Sequence, residues 1–270
     1  MSCRIDWFRI DVSFSYGSGV ITYEYPLIER VRTLLRLEDL FDRADYFLRK
    51  TEAPEHHVAL LTLFEILEVA GRADLKSDLL QELERQKQMV YAFRDNPEVN
   101  QEALARVLHE LESTYAALHA MTGKVGQHVR ENDWLMSVRQ RTTIPGGACE
   151  FDLPSYHYWL NQPAEERLQA LLGWITPLYP IRDAVQMVLK LLRESGKPVM
   201  VRAHRGTFQQ MMSGRSAQMV RLRVPRALMC IPEISANRYA LNIRFISASE
   251  SPRPRTCDID IDFELTYCCL

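Results

Sequence analysis

At Ser195-Gly196-Lys197-Pro198 the apolar residues of this 270-residue chain stop recurring every three to four positions and begin to alternate. A spacing near 3.6 gives a helix one buried stripe, and a spacing of two gives a strand one buried face. A chain that carries both in succession folds into a helical region followed by a sheet, and the Gly-Lys-Pro at the change marks the break. The fold class expected is therefore α+β: an all-helical N-terminal and central domain, then an antiparallel β-sheet domain, joined by an N-terminal strand near residues 20–25. The limits that follow are 1–22 as an N-terminal extension, 23–196 as the helical domain and 197–270 as the antiparallel β domain.

Upstream of the change, Leu27, Val31, Leu34, Leu35, Leu37, Leu40 and Phe41 predict a first helix from Pro26 to about Arg49. Pro54 suits the first turn of a second helix that ends near Gly71. A third runs from Leu75 toward Arg94, broken by Asn96-Pro97, and a fourth covers about Gln101 to Met121. Val129, Leu135, Met136 and Val138 predict one fifth helix that stops at Ile144-Pro145-Gly146-Gly147, followed by helices at Pro154 to Leu160, Ala164 to Ile175 and Ile181 to Arg193. Downstream, Arg221 and Arg223 alternate with Val220, Leu222 and Val224. Arg238, Ala240, Asn242 and Arg244 alternate with Tyr239, Leu241, Ile243 and Phe245, and Asp258, Asp260, Asp262 and Glu264 with Ile259, Ile261, Phe263 and Leu265. One antiparallel sheet is expected, apolar on one face and charged on the other. Ile21 to Tyr25 has the composition of an added strand, and Asp6 to Ser15 is also strand-like.

The net charge of -2 hides two opposed regions. Met1 to Gly196 holds 22 Lys and Arg against 29 Asp and Glu, whereas Lys197 to Cys257 holds 11 against 2. Pairing with Asp258, Asp260, Asp262 and Glu264 is expected to absorb at most four of those eleven. The surplus predicts an acidic partner, because arginine forks match carboxylates and phosphates alike. A nucleic-acid-binding module using the same Arg-rich sheet is the alternative reading, although the aromatics of RNA-binding sheets are not interleaved with these arginines.

The absence of an apolar run of 18 or more residues and of a leader predicts no membrane partner and a cytoplasmic location. The six cysteines lack C-x-x-C spacing, so reduced thiols are expected and no metal site. Glu29 and Asp39 sit at helical spacing from Arg32, Arg36 and Arg43, and Glu82 to Lys87 reads as another solvated ion-pair face. His56 and His57, adjacent rather than four apart, are expected on the surface.

"RQRTTIPGGACEFDLPSYHYWL", Arg139 to Leu160, places Cys149, Asp152 and His157 close enough in sequence to suggest a cysteine hydrolase. The competing reading is a structural corner, with glycines supplying positive φ and Asp152 or Ser155 capping the helix that Pro154 opens. With no G-x-S-x-G elbow, papain-like signature or phosphate-cradling frame behind it, the corner is preferred, and neither catalysis nor a cofactor is expected.

The same stretch, as "VRQRTTIPGGACEFDLPSYHYWL", resembles the central signature of the Z-ring-associated protein D (ZapD) family, bacterial cell-division proteins that bind the tubulin-like FtsZ. "YEYPLIERVRTLLRLEDLF" resembles the family's opening, and "IPEISANRYALNIRF" with "FELTYCC" its close, so the likeness spans about Tyr23 to Cys269. Met1 to Thr22 precede the family's usual start. The resemblance implies a non-enzymatic homodimer at the mid-cell division site that binds the acidic C-terminal tail of FtsZ and cross-links its filaments into bundles. Tail-binding arginines of the family fall on Arg72, in "EVAGRADLKSDLL", and Arg244, in "NIRF"; a third falls on Ala240, where Arg238 on the same strand face is expected to take over. Arg221 and Arg223 complete the expected tail-binding set. Positions linked to bundling fall on Arg36, His157 and Asp133, with Arg130 as the substitute for the missing base.

Overall fold

The structure is a computed structural model that describes residues 19–71, 74–97, 99–212, 216–248 and 255–270. The strand-like run Asp6 to Ser15 and the candidate Arg72 lie outside the described residues. The described chain divides into two compact units: residues 33–188, and residues 189–270 together with residues 19–32.

Helices α1 (Glu29–Leu48), α2 (Ala53–Ala70), α3 (Leu75–Tyr91) and α4 (Gln101–Ala120) follow the expected pattern closely. α2 is apolar nearly all round, burying Ala59, Leu60, Leu63, Phe64, Ile66 and Leu67, as a helix surrounded by others must. Its start is set by a reciprocal cap between Glu52 and Glu55, which satisfies two orphan amides. The single fifth helix expected from the sequence is two, α5 (Gln127–Arg130) and α6 (Asp133–Thr142). Asn132 Oδ1 accepts from the Leu135 amide at 3.0 Å, and that cap starts a new helix. Helices α7 (Pro154–Leu160), α8 (Ala164–Ile175) and α9 (Tyr179–Glu194) complete the series. Among the described residues no helix is long and apolar enough to cross a membrane. Arg32 pairs with Glu29 and Arg43 with Asp39, as their spacing predicts. Glu82 departs from the solvated reading: it is buried and bonded to Arg85 and Gln86.

Within the helical unit, His56 is fully buried rather than on the surface. Its Nε2 lies 2.8 Å from the Lys50 carbonyl, and its Nδ1 lies 3.1 Å from Nε of Arg167, itself buried. Arg167 Nε can only donate, so Nδ1 must accept and Nε2 carries the proton: a neutral imidazole of fixed tautomer. The rest of the guanidinium donates to the carbonyls of Thr51, Leu160 and Gln162, tying the α1–α2 loop to the α7–α8 loop. A buried cation is tolerable only with such dense hydrogen bonding. Burial and the charge of Arg167 outweigh the Lys50 carbonyl and hold the His56 pKa below its ordinary value.

The strands begin with β1 (Val20–Pro26) and continue after α9 as β2 (Pro198–Ala203), β3 (Thr207–Met211), β4 (Met219–Pro225), β5 (Cys230–Ala236), β6 (Ala240–Ser247) and β7 (Ile261–Cys268). They pair antiparallel throughout, but in two sheets rather than one: β1-β4-β7-β2 and β3-β6-β5. Val220, Leu222, Val224, Phe263 and Leu265 of the first sheet and Leu241, Ile243 and Phe245 of the second form one core, with Phe245 and Phe263 centroids 5.0 Å apart. The second sheet therefore covers the apolar face of the first, which a single sheet would have left in water. β7 starts three residues later than the alternation suggests, and Ile259 and Tyr239 are exposed, since both lie in turns outside the paired region.

The sign of the His56 shift gives a testable outcome. A folded-state pKa below the unfolded value of about 6.5 means that the unfolded chain binds protons first, so this stability is present above about pH 6.5 and lost below it. His56→Gln keeps one donor and one acceptor. Thermal midpoints measured from pH 8 to 5 are expected to fall less steeply for His56→Gln than for the wild type.

Candidate functional site

Strand alternation, with both apolar faces turned inward, sends the intervening arginines outward in opposite directions. Arg221 and Arg223 lie on the outer face of the four-stranded sheet, and Arg244 lies on the outer face of the three-stranded sheet. The sequence-derived cluster is thus split between two faces.

On the four-stranded sheet the arginines are engaged. Arg202 makes two hydrogen bonds to Asp262, at 2.6 and 2.9 Å, and Arg223 reaches Glu264 at 3.2 Å. Arg221 Nε lies 2.9 Å from Glu24 without the alignment of a hydrogen bond, and Arg193 binds the same carboxylate at 2.8 and 2.9 Å. Burial acts to raise the Glu24 pKa, but the hydrogen bond and charge of Arg193, followed by Arg221, hold it below the usual value. Glu24 and Glu233, neither in the acidic run of β7, also serve as partners, so pairing takes more of the positive charge than the four carboxylates predicted. Among the described residues, Arg226, Arg238 and Arg255 have no carboxylate partner.

The outer face of β3-β6-β5 is more open. Arg244 sits mid-sheet, opposite Thr207 on one side and Glu233 on the other, with its side chain 59% exposed. It donates through Nε to Glu233 at 2.9 Å. Arg238 is not on the strand face with Arg244 but in the β5–β6 turn, because Asn237 Oδ1 accepts from the Tyr239 and Ala240 amides and bends the chain there. Its guanidinium lies over the Tyr239 ring, 4.4 Å from the centroid. Arg238 and Arg244 are six positions apart, at most ~20 Å of extended chain.

In the helical unit, Arg36 is exposed on α1 and His157 on α7. Nε2 of His157 lies 3.3 Å from the Asn161 amide nitrogen and 3.7 Å from Glu150. Cys149 Sγ donates instead to the Gly146 carbonyl at 2.9 Å. Asp152 faces Arg141 at 3.7 Å, and Ser155 accepts from Trp134, so neither caps α7; its N-cap is Leu153, with no side-chain hydrogen bond. The expected positive φ falls on Gly146, at 71°; Gly147 is needed because a Cβ there would meet the Arg141 carbonyl at 2.3 Å. Arg130 donates to the Leu67 carbonyl at 2.8 Å, capping α2 beside a depression lined by Glu68, Val69 and Gly71.

The profile of the ZapD family, described as a cell division protein, matches residues 35–244. The chain belongs to the ZapD family. The protein named Cell division protein ZapD from Azoarcus sp. (strain BH72) is 59% identical over 252 residues, covering 93% of this chain and all of the relative. Those of the same name from Aromatoleum aromaticum and Dechloromonas aromatica are each 56% identical, covering 93% and 92% of this chain and 98% and 99% of their own length. The residues that sequence reasoning missed are Glu24 and Glu233, the partners of Arg221 and Arg244. The signal for Glu233 was present, since Cys230 to Ala236 also alternates.

Removing the shared carboxylate tests whether Arg221 is structural. Glu24→Gln keeps one side-chain oxygen as acceptor but removes the negative charge that sits between two partly buried guanidiniums, and a loss of about 2 kcal/mol in urea unfolding is expected. The depressed Glu24 pKa means that this contribution is present above the unfolded carboxylate value and is lost as pH falls through the folded one. The wild type is therefore expected to approach the variant in stability in acid.

Proposed function

We propose that this chain binds the acidic C-terminal tail of FtsZ on the outer face of the β3-β6-β5 sheet and, as a homodimer, cross-links FtsZ filaments into bundles at the division site. The observation that carries the reading is Arg244: an exposed guanidinium at mid-sheet, oriented by Glu233, with the unpaired Arg238 within reach of one extended peptide. An incoming carboxylate replaces Glu233 as the acceptor, and arginine accepts that exchange without changing its charge. Arg221 and Arg223, on the opposite face and already paired, contribute to the field rather than to contact. Arg72 stays in the proposal through the family resemblance.

Two tail sites in a dimer and many tails along a filament turn modest single contacts into firm bridging through effective concentration. The bundling contact is assigned to Arg36 and His157, both exposed. Arg130 is committed to capping α2.

Titration with an acidic FtsZ tail peptide, against a charge-matched scrambled peptide, tests the reading. Arg244→Glu is expected to abolish binding of the tail peptide while the chain stays folded, and unchanged binding would remove this residue from the site. Glu233→Gln, which deletes the competing carboxylate, is expected to tighten binding about threefold, the worth of an exposed pair. Both the wild-type affinity and the gain from Glu233→Gln should shrink as salt rises, since exposed charges are screened beyond ~8 Å at physiological ionic strength. Competition by duplex or single-stranded DNA at equal strength would favour the nucleic-acid reading instead.

A further inference from the structure

Arg244 is not the only exposed group on its face. Ile231 stands directly opposite Ile246, one outward-facing row from the Glu233–Arg244 pair, and is 41% exposed. Met229, two residues before it in the chain and just ahead of β5, is 67% exposed. Its backbone is in the left-handed region at φ 46°, which a side-chain-bearing residue seldom adopts. Two hydrogen bonds hold it there: its amide donates to Arg226 and its carbonyl accepts from Ala248. The chain thus keeps a thioether on the surface at a cost in backbone strain, two residues from the isoleucine pair in the chain and three from Arg226, whose own charge has no carboxylate partner among the described residues. Methionine and isoleucine gathered beside guanidinium groups suit a ligand that is acidic and apolar at once.

We infer that Met229, Ile231 and Ile246 form the apolar half of the site anchored by Arg244. Its occupant is then an extended acidic peptide with a bulky apolar side chain two positions from the carboxylate that takes Arg244. This rests on the reading of Arg244 proposed above and adds a specificity element to it. The spacing follows from strand geometry: successive outward rows are two residues apart, ~7 Å, and an extended peptide presents alternate side chains on one face at the same interval. A charge-only surface would accept any acidic segment; the isoleucine row selects among them.

The test uses the full chain and acidic decapeptides of equal charge, measured by fluorescence anisotropy. One peptide carries Asp-x-Leu, a second Asp-x-Ser, and a third Asp-x-x-Leu, which turns the leucine to the other face. The first is expected to bind about tenfold more tightly than the other two, on the order of one buried apolar side chain. That ratio should persist as salt lowers all three affinities. Ile231→Ser is expected to reduce the ratio to near one. Met229→Gly, which removes the thioether and relieves the positive φ, should do the same without loss of thermal stability. Equal binding of the three peptides, with Arg244→Glu still abolishing all of it, would overturn the apolar row and leave the charge reading standing. Undiminished binding by Arg244→Glu would overturn both.

Discussion

Everything about the charged surface of the β unit depends on one packing constraint: two antiparallel sheets share a single core. Once Leu222, Val224, Phe263 and Leu265 close on Leu241, Ile243 and Phe245, the residues between them have no choice but to point to the outer faces of the two sheets. The outward direction is opposite for the two sheets. Arginines close together in sequence end on surfaces that cannot hold the same ligand, and each surface acquires its own pattern of carboxylates.

Those carboxylates decide what each face can do. The four-stranded sheet supplies Asp262 and Glu264 from β7 and Glu24 from β1, and its arginines are drawn into cross-strand pairs. The Glu24 pair also binds the last turn of α9 to the sheet through Arg193, so its role is to hold the unit together. The three-stranded sheet offers Arg244 the exposed carboxylate of Glu233, in a pair open enough to exchange. Exposed pairs of this kind stabilise a fold little, which leaves the guanidinium available for recognition. The same logic separates Arg167, buried and bonded to carbonyls and His56, from any binding role.

The cell-division assignment and the geometry meet at few residues. Membership of the ZapD family rests on a long stretch of the chain, residues 35–244. The exposed face around Arg244, by contrast, is a local property of the side chains that β5 and β6 turn outward. At position 240, the first residue of β6, stands a buried alanine, and Arg238 is carried by the preceding turn with its guanidinium over Tyr239.

The order of helices and strands was legible because it depends on local spacing: seven of the predicted helices begin and end within a few residues of their observed limits, and the strand near residues 20–25 pairs with β4. The α+β class follows from the same periodicity. Partnership was not legible. Alternation tells which side chains share a face of a strand but not which sheet the strand joins, so β3, β6 and β5 could not be separated from the other four by pattern. Nor could sequence show that Glu233 meets Arg244, that Glu24 holds two arginines, or that His56 is buried against Arg167, since each contact joins residues whose distance apart only the folded chain sets. Local stereochemistry determines the elements; the burial of apolar faces against one another determines which charges are left to bind.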